Sequence, residues 1–349
     1  MSAVGRWLGD RLPFSGQGIR ELTNEPVPYH LKRWWFALGG TPAYLFIIQI
    51  VTGILLAFYY KPAPETAYES VRYITEEAAF GWYLRSVHKW AATLMIAAVI
   101  LHQMRVYFTG AYRKPREINW MVGMFLLLCT LMTGFTGYSL VYEQLSFWGA
   151  TVGANIAETV PVVGGFVKNM MLAGDGYNSR TLSRFFVLHA AVLPVTMVAL
   201  IALHIVIIRV QGVTEFSFKD EGDETPKTFN FLPDHLYTEL TIGLVLMVLL
   251  SALASIFPAT MGPPADPNVT PDVIKPEWFF YVAFRWLKLF TGTAATLSMG
   301  FIVLIMFTWP FIDEQIRRRT RFQEASVWIG IAGVLAIVGL TVWEAIVKH

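Results

Sequence analysis

Cysteine is nearly absent, Cys129 being the single one among 349 residues. That excludes a disulfide framework, paired-cysteine motifs for covalent cofactor attachment, and thiolate clusters for iron–sulfur or zinc. Charge is scarce as well: Asp, Glu, Lys and Arg make up 15% of the chain against 55% hydrophobic residues, and mean hydropathy is +0.49. A water-soluble domain of this length could not cover so apolar a composition with polar surface. The formal net charge of +2 is too small to indicate nucleic acid as a partner. There is no low-complexity tract and no solenoid period.

What the chain does have is apolar runs long enough to cross a bilayer, about 20 residues each. They lie at Ala37 to Tyr59, Val87 to Phe108, Met121 to Leu140, Phe185 to Ile208, Leu236 to Phe257, Leu297 to Ile312 and Ser326 to Val347. The fold class is therefore all-α membrane protein with seven transmembrane helices. The sixth run is short and ends at Trp309 and Pro310, where proline is expected to stop the helix. Sixteen of the 27 Lys and Arg residues fall on the N-terminal side of this arrangement, which places the N-terminus in the cytoplasm or its equivalent. No apolar stretch with a small-residue cleavage site opens the sequence, so no removable signal peptide is expected. Val4 to Leu12 reads instead as a short amphipathic segment on the membrane surface.

The strongest composition shift is a polar linker at 212–233, which divides a four-helix bundle at 1–211 from a three-helix domain at 234–349. Two long connections, Val141 to Arg184 and Pro258 to Ala295, are rich in Gly, Pro and aromatics and both fall on the side opposite the N-terminus. Half-buried helices along the membrane would explain their apolar content. Together they are suited to roof a site on that face.

Four of the seven histidines lie inside two spans: His88 and His102 in the second, His189 and His204 in the fourth. A polar side chain in hydrocarbon needs a reason; helix–helix hydrogen bonding is one and metal ligation is another. Fourteen residues bring His88 and His102 to nearly one helix face, about 21 Å apart, and fifteen do much the same for His189 and His204. With one span intervening, both helices descend in the same direction, so His88 meets His189 and His102 meets His204. Two matched imidazole ladders can clamp two flat metal macrocycles. Chlorophyll could use the same ligands, but paired axial positions favour low-spin haem and electron transfer. Gly39 and Gly53 in the first span, and Gly123 and Gly137 in the third, repeat the fourteen-residue interval, and a missing side chain admits a broad ring. Arg85 and Lys89 near the outer haem, and Arg105, Lys114 and Arg116 near the inner one, are candidates for its propionates.

At this point the sequence resembles cytochrome b of the quinol-oxidising bc complexes, the chloroplast-type form most closely. The segments VRYITEEAAFGWYLRSVHKW, ILHQMRVYFTGAYRKPRE, TGFTGYSL, LSRFFVLH and PADPNVTPDVIKPEWFF carry the match. Seven spans and the fifteen-residue histidine interval are similar to cytochrome b6 plus subunit IV, fused into one chain. The resemblance implies a Q cycle in an energy-transducing membrane such as the bacterial cytoplasmic membrane. Quinol is oxidised at the outer face, one electron goes to a Rieske iron–sulfur protein, and the other crosses two non-covalent haems b to an inner quinone site. It also implies a c-type cytochrome subunit, surrounding membrane lipid and a homodimer of the complex.

The resemblance further implies an outer quinol site around Pro276, Glu277, Trp278 and Phe279 together with Tyr142 and Glu143. Its inner quinone site would use Arg209, Asp234 and His30. The chain departs from the family at Phe279, where the PEWY motif has Tyr, and at Val141 and Tyr142, which replace Pro and Trp and so alter the pocket shape. Chloroplast-type relatives attach an extra haem through a cysteine at the position of Ala37, so no thioether is expected here. Two other readings stay open: a bis-haem membrane anchor that does not bifurcate electrons, and a seven-span transporter or receptor without redox chemistry.

Overall fold

The computed structural model describes residues 26–28, 38–174, 176–212, 214, 228–230, 233–234, 236–290, 292–320 and 324–347. The expectations for Val4 to Leu12, His30 and Ala37 lie outside them. Among the described residues seven helices are long and apolar enough to cross a membrane: α1 (Gly40–Ala57), α3 (Gly81–Phe108), α4 (Glu117–Ser139), α7 (Ser179–Gln211), α8 (Leu236–Ile256), α10 (Gly292–Arg319) and α11 (Ala325–Ile346). The shorter helices are α2 (Ala67–Glu76), α5 (Gln144–Glu158), α6 (Gly164–Leu172) and α9 (Tyr281–Leu289). One small antiparallel pairing, β1 (Pro26–Pro28) with β2 (Thr228–Asn230), joins the segment before α1 to the linker before α8.

Helix ends differ from the apolar runs, because hydropathy marks lipid contact while capping groups decide where a helix starts. α7 begins six residues before its apolar run, where the Asn178 side chain accepts the Arg180 N–H at 2.9 Å and pairs with Thr181 in a capping box. α3 likewise starts at Gly81, ahead of Val87. The clearest departure is α10, which does not stop at Pro310 but continues to Arg319. Proline removes the hydrogen bond to the carbonyl four residues back. That carbonyl, Met306 O, instead accepts the Trp120 indole N–H from α4 at 2.8 Å.

α1 packs on α3 and α4 on α7, forming a four-helix bundle, and α8 lies against α3 and α1. The bundle core contains Leu45 and Phe46 of α1, Ala91, Met95 and Ala98 of α3, Met197 of α7 and Leu250 of α8. Met95 lies midway between His88 and His102, and Met197 midway between His189 and His204. An apolar layer therefore separates the two histidine levels. α10 packs on α4, and α9 packs on both α10 and α11. A second core cluster joins Tyr112, Trp120, Met124, Leu127 and Trp309.

Candidate functional site

α3 spans about 42 Å at 1.5 Å per residue, longer than the roughly 30 Å hydrocarbon core. His88 and His102 each sit near one end of it, about 21 Å apart along the axis. The structure brings His88 to His189, with ring centres 6.1 Å apart and planes at 71°. It brings His102 to His204 at 6.5 Å and 75°. A metal–imidazole bond of about 2.0 Å on each side, added to a ring radius of roughly 1.1 Å, gives about 6.2 Å between ring centres. Both pairs therefore leave a separation that admits one metal ion between two imidazoles.

The two ladders reach the same levels although their intervals differ by one residue. α7 opens into a wide π turn over Leu188–Val192, and His189 lies in it. That turn absorbs the extra residue, so the longer interval on α7 matches the shorter one on α3 in rise and facing.

Each of the four glycines stands against one histidine ring. A Cβ on Gly53 would lie 3.3 Å from His88 Cε1, and one on Gly137 only 2.5 Å from His189 Cε1. For Gly39 the neighbour is His102 Cε1 at 3.8 Å, and for Gly123 it is His204 Cε1 at 3.7 Å. The cradle at the His88 end is thus the tighter one.

Hydrogen bonds set the tautomers at that end. His189 Nδ1 lies 3.0 Å from the Thr133 carbonyl, which can only accept, so Nδ1 carries the proton and Nε2 keeps its lone pair. His88 Nδ1 is 2.8 Å from Thr52 Oγ1, whose own proton goes to Ile48 O at 2.6 Å. Thr52 therefore accepts, and His88 Nε2 is likewise left with a free lone pair. At the other end Arg105 Nη2 donates to His102 Nδ1 at 3.1 Å, the opposite polarity. His204 Nδ1 is buried beside the Asn119 carbonyl without a hydrogen bond of normal geometry.

Among the basic residues near the rings, Arg105 is the closest to a pair, 3.9 Å from a Cβ on Gly39. Arg85 is turned toward Ala259 O at 2.8 Å, Thr260 O at 3.0 Å and Thr75 Oγ1 at 3.2 Å. Lys114 pairs with Glu314 at 3.0 Å, Arg116 donates to Gly212 O at 3.1 Å, and Lys89 is exposed.

At the His88 end two chain segments meet the bundle. The junction of α4 and α5 is tied to the 262–266 loop: Glu143 accepts the Gly262 N–H at 2.6 Å while capping α5, and Gln144 accepts the Asp266 N–H at 2.6 Å. Tyr142 adopts a left-handed φ of 55°, its ring packed on Phe147 and Tyr177. Pro276 leads into a 3-10 turn, Trp278–Phe280, whose Phe279 ring would lie 3.3 Å from a Cβ on Gly134. Gly134 follows Thr133, the residue that holds His189. Glu277 precedes this turn with extended backbone, and its side chain makes no capping hydrogen bond. Burial pushes the Tyr281 phenol above its ordinary value, and the nearby Glu277 and Glu344 carboxylates push it further.

Arg209, in the last turn of α7, and Asp234, just before α8, are exposed at the His102 end. Sequence reading missed Thr52 and Thr133. Their signal was a hydroxyl beside or one turn from a glycine within an apolar span.

Comparisons with known proteins agree with this architecture. The family described as Cytochrome b/b6/petB matches residues 22–212, and Cytochrome b(C-terminal)/b6/petD matches residues 264–347. Cytochrome b6 of Heliomicrobium gestii is 48% identical over 210 residues, 60% of this chain and 99% of the relative. The cytochrome bc complex cytochrome b subunit of Chlorobaculum thiosulfatiphilum is 34% identical over 351 residues, 97% of this chain and 79% of the relative. A solved hyperthermophilic respiratory Complex III shares the fold, with TM-score 0.84 at 24% identity over 99% of this chain and 92% of its own. The chain thus belongs to the cytochrome b/b6 family, as the membrane-integral cytochrome b of a bc- or b6f-type oxidoreductase complex.

Proposed function

We propose that this chain oxidises quinol at its His88 end and passes one electron of each pair across the membrane to a quinone site at its His102 end, coupled to proton translocation. Family membership itself implies haem b as cofactor. Bound haem supplies one-electron carriers at two depths of the membrane. His88 with His189, and His102 with His204, would hold it, and Gly39, Gly53, Gly123 and Gly137 would give the macrocycles room. The observation that carries this reading is the pair of imidazole couples at 6.1 Å and 6.5 Å.

Arg105 is the best placed cation for a propionate at the inner level, with Lys114 and Arg116 further out, and Arg85 and Lys89 stand at the outer level. The N-terminus is assigned to the cytoplasmic side, so the His88 end faces outward. There Glu277, free of any capping duty, takes a proton from quinol in a pocket lined by Pro276, Trp278, Phe279 and Tyr142, with Glu143 bracing its wall. Phe279 lacks the hydroxyl of the family's tyrosine, which leaves Glu277 more of the proton transfer. Arg209, Asp234 and His30 serve the inner quinone site. A Rieske iron–sulfur protein and a c-type cytochrome complete the complex, which is a homodimer in membrane lipid. The domain boundaries at 211 and 234 separate the haem bundle from the quinone-site helices, although α8 joins the bundle core through Leu250.

The test is steady-state quinol oxidation by the assembled complex. Glu277→Gln is expected to slow turnover by about tenfold or more, and Phe279→Tyr to ease that loss when combined with it. Unchanged turnover and pH dependence in Glu277→Gln, with the Rieske protein still bound, would leave the glutamate a structural role only.

A further inference from the structure

Lys275, two residues before Glu277, donates through Nζ to Glu344 O at 3.0 Å and to Val347 O at 2.6 Å. Both acceptors are carbonyls at the end of α11, where a cation is favoured by the helix dipole and by the unsatisfied last turn. The Glu344 side chain, 0% exposed, faces two further cations: Lys288 Nζ at 3.3 Å and Arg285 Nη1 at 3.6 Å, both from α9. The Arg285 guanidinium also lies 3.8 Å from the centre of the Trp343 ring. One turn of α11 therefore grips the chain on both sides of the Pro276 to Phe280 turn. Lys275 holds it before Glu277, and Arg285 with Lys288 hold it after. Phe279 rests on Gly134 of α4. Glu277 lies in the chain between these fixed points.

A surface ion pair would contribute little, but a fully buried carboxylate facing two cations is costly to disturb. Its value here is geometric. Proton transfer depends steeply on placement, and a displacement of about 1 Å can cost on the order of a hundredfold in rate.

We propose that the last turn of α11 is the positioning element of the outer quinol site, with Lys275 and Glu344 setting where the Glu277 carboxylate stands. This rests on the reading of Glu277 as proton acceptor. Neither residue touches the substrate; both act through Glu277.

A double-mutant cycle in the assembled complex tests it, with haem b content measured on every variant. Lys275→Met removes the donors without a large change in length, whereas Glu344→Gln strands two cations and risks misfolding. Lys275→Met is expected to slow quinol oxidation roughly tenfold with haem content unchanged and with a shifted pH profile. Lys275→Arg, which keeps donors, recovers most of the rate. In a Glu277→Gln background Lys275→Met adds little further loss, because coupled residues are non-additive. If Lys275→Met fails to accumulate, Lys275→Leu, which also lacks donors, carries the same comparison. Should Glu277→Gln slow turnover while Lys275→Met has no effect, or while the two losses multiply independently, the positioning role is overturned and the acceptor role stands. Should Glu277→Gln leave turnover unchanged, the acceptor role fails and the positioning role falls with it.

Discussion

Trp120 of α4 donates its indole N–H to Met306 O of α10 at 2.8 Å, replacing the helical partner that Pro310 cannot supply. This bond lets α10 run on past the proline and carry Asp313 into the protein. There the buried Asp313 carboxylate accepts from Arg113 at 2.9 Å, from Arg317 at 3.2 Å and from the Ser326 hydroxyl. Those contacts clasp the α3–α4 connection to the start of α11.

Trp120→Phe keeps an aromatic ring but leaves the partly buried Met306 carbonyl without its indole donor. The expected cost is about 1 to 3 kcal/mol, read as a lower midpoint for loss of helical circular dichroism on heating. Adding Pro310→Ala restores a backbone N–H and should recover part of that loss. Fully additive destabilisation by the two changes would contradict the assignment.

Gly137→Ala and Gly123→Ala separate the two cradles. A methyl at position 137 meets His189 at 2.5 Å, whereas one at 123 stands 3.7 Å from His204. Contacts under 3 Å force a neighbour to move in a packed interior. Gly137→Ala should lose or spectrally disturb the outer haem, while Gly123→Ala should keep both. Equal behaviour of the two variants in reduced-minus-oxidised spectra would refute the role given to Gly137.

Thr52→Val removes the acceptor that holds the His88 Nδ1 proton while keeping the side-chain shape. Partners of this kind typically account for about ten- to a hundredfold in metal affinity. Haem at the outer level should therefore be lost at correspondingly lower extractant concentration, with the inner haem unaffected. In the unsubstituted protein the inner haem should be the first to leave. The His102 ring is turned from the ligating tautomer by the Arg105 N–H that donates to its Nδ1, while His88 and His189 are preset in it.

The resemblance sets Ala37 at the position of the cysteine that holds a covalent haem in chloroplast-type relatives, so denaturing electrophoresis should show no haem-staining band near 39 kDa. Such a band would overturn this expectation.

Much of this architecture is legible before any coordinates. Lipid imposes long apolar runs, so seven spans can be read from hydropathy alone, and a repeated interval betrays both the histidine ladders and the glycines facing them. Events set by tertiary contact are not visible there. Pro310 reads as a stop because its rescue comes from Trp120, 190 positions away in the sequence. The π turn at His189 leaves only the one-residue excess in the interval. Glu344 looks like a stray charge near the chain's end until α9 folds beside it and supplies Arg285 and Lys288. Thr52 and Thr133 acquire meaning only when His88 and His189 arrive.

Two haems b held by two histidine couples are what the imidazole pairs at 6.1 Å and 6.5 Å lead one to expect. Pyridine haemochrome and protein assays on the purified complex measure this most directly, alongside variants His102→Leu and His204→Leu. The expected result is two non-covalent haems per chain, both low-spin, with either variant losing the inner haem and retaining the outer one. One haem per chain, high-spin haem in the intact protein, or loss of the outer haem in His102→Leu would contradict it.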